Sequence, residues 1–188
     1  MKKAKEEIAK EKERKNRIEK KNKLIADNFV LVYENIVKLL EVPSVENQQM
    51  ASMAKEPVIP SGNSYGGYDV PASMYVMFVD EMLKKTYSFP ELPTPQERLK
   101  HAGLQYMADY YNLIPQIKKS QKAERLKKEI KDYSRRIKEL QNLCHSHARD
   151  DDKWFYNYAE DLRQRVGGVI LLYNELCDLF PETYEKRR

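Results

Sequence analysis

The chain predicts an all-α protein: a helical bundle with a long antiparallel C-terminal coiled-coil hairpin and a basic N-terminal helical arm. Three observations carry that reading. Apolar residues recur at a 3.6-residue period through much of the sequence. An unbroken seam of alternating three- and four-residue steps runs from Ala123 to Cys144, and a second stripe follows from Trp154 to Phe180. The first 23 residues favour helix but hold only Ile8 and Ile18 as large aliphatics after Met1.

Each element has its own signal. Residues 1–23 form a charged arm with mixed i,i+4 pairs, a helix that frays when alone. Residues 24–115 form a helical domain. Its first helix, 24–41, shows a wide stripe of Ile25, Phe29, Val32, Tyr33, Ile36, Val37 and Leu40, ended by Pro43. The stretch 42–70 is an irregular Pro/Gly loop with room for a short helix at 45–54. A loop that long is usually functional or disordered. A third helix covers 70–87, with Asp69 as its expected N-cap and apolar residues nearly all round.

Thr94, Pro95 and Glu97 spell a capping box with Pro at the first helical position. That helix is expected to reach about Asn112, with Pro115 stopping or kinking it.

The hairpin is placed at 116–180, with a basic tail at 181–188. In the first arm the seam is Ala123, Leu126, Ile130, Tyr133, Ile137, Leu140 and Cys144. In the second it is Trp154, Tyr158, Leu162, Val166, Val169, Tyr173 and Leu176. The short connection near 146–151 favours an antiparallel fold-back, in which facing residue numbers have a constant sum. The two stripes then match in register, Cys144 opposite Trp154 and Leu126 opposite Tyr173. A parallel homodimer would instead bring Lys122 to Lys127 at its flanks, without attraction. Gly167 and Gly168 are expected to make room beside Tyr133 and Ile130. The run 150–152 of three Asp suits the N-terminus of the last helix.

Charge narrows the function. The chain of 188 residues is 34% charged and carries +5 overall. Residues 1–23 hold nine Lys and two Arg against five Glu, and residues 118–138 hold seven Lys and three Arg against three acids. The remainder is mildly acidic. This asymmetry points to a polyanionic partner or to pairing of basic with acidic faces. Candidate phosphate contacts are Lys119, Lys122, Arg125, Lys127, Lys128, Lys131, Arg135 and Arg136, which with their neighbours form a basic rod outside the seam. Candidate protein-docking residues are Tyr65, Tyr68, Tyr75, Phe78 and Met82.

Catalytic and metal readings are weak. Cys144, His145 and His147 lie together, but a tetrahedral site needs a further Cys/His pair, which the sequence lacks. A Cys–His nucleophile would need an oxyanion loop, and no glycine elbow accompanies it. His101 reads as a surface residue, and the 150–152 run lacks the alternating ligands of a calcium loop. Neither GxxxxGK[ST] nor GxGxxG occurs. No catalytic, cofactor or metal residue is therefore assigned.

The two cysteines, Cys144 and Cys177, are expected to be reduced in a cytoplasmic compartment. No secretory signal and no membrane span are expected. The expected function is non-enzymatic: a structural or assembly protein working through helix-mediated protein contacts or self-assembly. The alternative is an accessory nucleic-acid-binding protein, as in packaging or mobile-element maintenance, using the basic arm and basic hairpin face. The Lys- and Tyr-rich, Ala-poor composition fits AT-rich coding, as in viral or mobile-element genes.

Overall fold

The computed structural model describes residues 2–60, 69–86, 92–149 and 153–185, with side chains from residue 6 onward. Among them the chain is all-α: seven helices and one two-stranded ladder, in the order α1 (Lys2–Leu40), α2 (Val45–Ala54), β1 (Val58–Ile59), β2 (Val70–Pro71), α3 (Ala72–Thr86), α4 (Pro95–His101), α5 (Gln105–Asp132), α6 (Ser134–Ser146) and α7 (Lys153–Leu179). The chain divides into two compact units, Met1–Pro43 with Arg125–Arg188, and Ser44–Glu124.

The first unit is a three-helix arrangement in which α1, α6 and α7 all pack on one another. Polar contacts set the direction of α1. Asn22 Nδ2 donates to the Ala148 carbonyl at 2.9 Å, and Gln141 Nε2 donates to Asp27 Oδ1 at 2.8 Å. Tyr33 Oη donates to the Ile130 carbonyl at 3.3 Å, and Lys131 pairs with Glu41 at 3.2 Å. From Asn22 to Tyr33, rising numbers on α1 meet falling numbers on its partner, so α1 runs antiparallel to α6 and the last turn of α5. Ala26, Val30, Tyr33, Ile36 and Leu40 are its buried stripe. Val32, expected inside, is 40% exposed. The apolar arc of α1 is wider than one groove can cover, so part of it faces outward.

The 24–41 helix groups with α6 and α7 in the first unit. It supplies a third wall that two helices alone would lack. The arm expected at 1–23 and the helix at 24–41 are one continuous helix. The C-terminal segment folds back too. Tyr184 is buried, with its ring edge-on to Tyr173 at 6.1 Å.

The helix break between α5 and α6 falls at Tyr133, whose backbone stays α-like (φ −67°, ψ −16°). The Tyr33 hydroxyl sits there, shared between the carbonyls of Ile130 at 3.3 Å and Lys131 at 3.4 Å. A hydroxyl that takes up carbonyls of the helical ladder is a recognised cause of local helix disturbance.

The second unit is built on short elements. Ser44 caps α2, its Oγ accepting from Asn47 N at 3.0 Å. β1 and β2 pair antiparallel, Val58 with Pro71 and Ile59 with Val70. Asp69 therefore does not cap α3, because Val70 and Pro71 are extended before the helix begins. The start of α3 is capped across the fold instead: Ser73 N donates to Glu56 Oε1, and Ala72 N donates to the Pro57 carbonyl at 2.9 Å.

The capping box at Thr94 and Glu97 is formed, with Pro95 at the first helical position. The helix that it opens is shorter than the expected 94–112. Gly103, at φ +77°, ends it in a Schellman motif, with Leu104 N on the Leu99 carbonyl (2.8 Å) and Gly103 N on that of Lys100 (2.9 Å). Helix α5 then runs through Pro115 without a break. Val76, Leu99 and Ala108 centre a small core, flanked by Val79, Leu83, Leu104, Met107, Tyr110 and Tyr111.

Candidate interaction surfaces

The seam comes first, because it decides what is left outside. Ala123, Leu126, Ile130, Ile137, Leu140 and Cys144 are buried, and Tyr133 is half-buried. Leu162, Val166, Val169, Tyr173 and Leu176 are buried, with Tyr158 half-buried. Trp154 is the exception, 58% exposed, while Phe155 is 2% exposed in its place. The helical turn explains the exchange. At about 100° per residue, Phe155 lies seven residues and only about 20° from Leu162, whereas Trp154 is about 80° away. Trp154 lies on the surface beside Tyr158, the ring centroids 6.3 Å apart.

The glycines do not relieve crowding as expected. A β-carbon on Gly167 would meet nothing within 4 Å, and one on Gly168 would lie 3.9 Å from Tyr133 Oη. The 150–152 run, Tyr65 and Tyr68 lie outside the described residues.

Cys144, His145 and His147 go separate ways. Cys144 is fully buried in the seam, and burial pushes its thiol up to about 11. His145 Nε2 lies 2.8 Å from Asp27 Oδ1, fastening α6 to α1. His147 is at the C-cap of α6, its ring 5.2 Å from that of Tyr158. Among the described residues, no group of three or more His, Cys, Asp or Glu is placed to hold a metal ion.

The basic rod is less uniform than the composition implies. Lys119, Lys122, Arg125 and Lys128 are exposed. Lys127 is half-buried, its ammonium 5.9 Å over the Tyr184 ring. Lys131 is paired with Glu41, and Glu139 takes both Arg135 at 3.0 Å and Arg136 at 3.4 Å. Arg135, then Arg136, hold the Glu139 carboxyl below its usual range. Exposed pairs of this kind are screened by solvent, so they interrupt the positive face without strongly committing it. On α7, Glu160 is drawn down to about 2 by Arg163 and Gln164 on its own helix.

The most distinctive surface is on α3. This helix turns Ser73, Val76 and Asp80 inward and leaves Met74, Phe78 and Met82 at 60%, 60% and 45% exposure. Those three repeat at four-residue steps along one face, with Tyr75 (36% exposed) beside them. Two polar nodes absent from the sequence reading, one buried and one half-buried, hold the helix this way round. Arg98 grips Asp80 with two bonds, Nε–Oδ1 at 2.8 Å and Nη2–Oδ2 at 3.0 Å. Its Nη1 donates to the carbonyls of Leu92 at 2.9 Å and Pro93 at 2.8 Å. Burial opposes ionisation of Asp80, but Arg98 and then Lys84 outweigh it and lower its pKa.

Glu56 is the second node. Besides Ser73, it accepts from Tyr110 Oη at 3.3 Å and Gln121 Nε2 at 3.2 Å. Burial raises its pKa, yet the bonds from Ser73, Gln121 and Tyr110 bring the balance below the usual value. Burial and the Glu56 charge push the Tyr110 phenol up to about 12. No periodicity marks either node. The only signal in the sequence was an Asp set among the apolar residues of α3, 18 residues before Arg98.

Among the described residues, no helix is long and apolar enough to cross a membrane. No protein-family model, curated protein or solved structure matches the chain.

Proposed function

We propose that this is a non-enzymatic assembly protein whose helices dock other helices or apolar protein surfaces. The observation that supports the reading is the orientation of α3, with polar groups clamped inside and a Met/aromatic ridge outside. Leaving Phe78 and two methionines about half in water forgoes roughly 1–2 kcal/mol of burial for each side chain. Unbranched, polarisable Met side chains suit a surface that repacks against a partner. The seam of the hairpin is used internally and offers no such surface.

A photo-crosslinking residue at position 78, with Met82→Lys as control, tests it in the source cell. A discrete protein adduct at 78, abolished by Met82→Lys without loss of fold, is expected. Absence of any adduct in a folded protein sinks the reading.

A second reading has its own support. The α1 arm and the exposed Lys119, Lys122, Arg125 and Lys128 present positive charge suited to phosphates, with no sequence readout required. Binding to random duplex and single-stranded nucleic acid at two salt concentrations tests it. Steep salt-sensitive binding, weakened by Arg125→Glu/Lys128→Glu, is the expected result. No binding at low salt eliminates it.

A further inference from the structure

The outward face of α1 carries a second heptad series, independent of the buried one. Lys21, Leu24, Asn28, Leu31, Asn35 and Lys38 follow in alternating steps of three and four residues. All six are exposed, with Leu24 at 59% and Leu31 at 50%. Val32, at 40%, widens the strip. The side-chain amides of Asn28 and Asn35 have no hydrogen-bond partner among the described residues. In paired helices apolar residues fill the core positions, and an asparagine at a core position fixes register and copy number at a cost in stability.

We propose that this face pairs two copies of the chain, parallel and in register, along residues 21–38. The inference deepens the assembly reading, and rests on it for the idea that helices dock helices, but it uses a surface other than α3. The layer chemistry selects the partner and the direction. In an antiparallel pair the two core positions meet each other, so every Asn faces a Leu or a Lys and is buried without an amide partner. In the parallel pair Asn28 meets Asn28 and Asn35 meets Asn35, each amide satisfied by its copy, while Leu24 and Leu31 pack on themselves. An unrelated apolar partner would strand the asparagines. Lys21 and Lys38 close the strip at its ends, where long stems lie along it and ammonium groups reach water.

Two leucine layers would be too little to order a free peptide. Here the helix is already held against α6 and α7, so that cost is paid by the fold. Pairing also sets two basic arms, residues 2–20, side by side. Their repulsion opposes association, so the dimer strengthens as salt screens it. A charge-driven contact would show the opposite sign.

The test is sedimentation of the full chain across concentration, at low and moderate salt. Expected is a monomer–dimer equilibrium favoured by salt. Leu24→Lys/Leu31→Lys, both at exposed sites, should leave the circular dichroism unchanged and reduce the association constant at least about tenfold per leucine. Asn28→Cys should form a disulfide-linked dimer on mild oxidation, the native Cys144 and Cys177 being buried. A strict monomer at every salt concentration overturns the inference. So does a dimer that survives the double substitution, or one in which Asn28→Cys does not cross-link. Phe78→Lys separates it from the α3 reading. If that change abolishes self-association, copies meet through α3, and the α1 inference fails while the assembly reading stands.

Discussion

At the scale of single residues, stability of the second unit hinges on Arg98. Its guanidinium satisfies Asp80 and two carbonyls in a site that exposes only 7% and 3% of the paired side chains. Arg98→Met strands the buried carboxylate, and a loss of about 3–5 kcal/mol is expected in urea unfolding. Replacing Asp80 and Arg98 together by apolar residues should cost less, because no charge is then left unpaired.

The same pair predicts a pH response. The folded pKa of Asp80 is depressed, so its contribution is complete above the ordinary value of 3.8 and is lost as pH falls through the lower folded value. A melting-temperature profile should therefore drop below that ordinary value, less steeply in Asp80→Asn. Gly167 makes the converse case. Open space surrounds its missing β-carbon within α7, so Gly167→Ala should raise stability by about 0.5–1 kcal/mol. A Gly167→Ala protein less stable than wild type would show crowding that the geometry does not contain.

At the scale of elements, ends matter more than interiors. Helix α4 stops because Gly103 takes a left-handed conformation and donates into the last turn. Gly103→Ala forces an L side chain to φ +77°, at a cost of roughly 1–2 kcal/mol measurable in denaturant. The capping box at Thr94 was legible from four adjacent residues, because both bonds are local. The cap of α3 was not. Its acceptor, Glu56, is 17 residues away in sequence, and no local pattern marks it. Trp154 and Phe155 teach a related point. Trp154 follows the four-residue step from Tyr158, but Phe155 lies closer in rotation to Leu162, and it is Phe155 that is buried.

For the whole molecule, the first 20 residues of α1 stand apart. Asn22 is bound to Ala148 just after the end of α6, so the helix N-terminal to it extends beyond α6 by about 1.5 Å per residue. Residues 6–17 are all exposed. An arm without tertiary support is held by helix propensity and i,i+4 pairs such as Glu11–Lys15. Limited trypsin digestion should therefore cut there first, and deletion of residues 2–17 should leave thermal unfolding nearly unchanged. A large fall in melting temperature on that deletion would mean that the arm is packed.

The sequence by itself determined the all-α class, the two apolar stripes of the hairpin, the Thr94 capping box and the place of the basic segments. These follow from the period of a helix and from interactions within a few residues. Tertiary structure decided that α1 is the third wall of the hairpin, that α3 turns its apolar ridge outward, and that Lys127, Lys131, Arg135 and Arg136 are drawn into local contacts. The physical reason is the same in each case. Periodicity states how wide an apolar arc is, but which part of that arc a neighbour covers depends on partners far away in the chain. On α1 the arc exceeds what α6 and α7 can bury, and on α3 the Asp80–Arg98 pair and the Glu56 contacts outweigh the pull of its methionines.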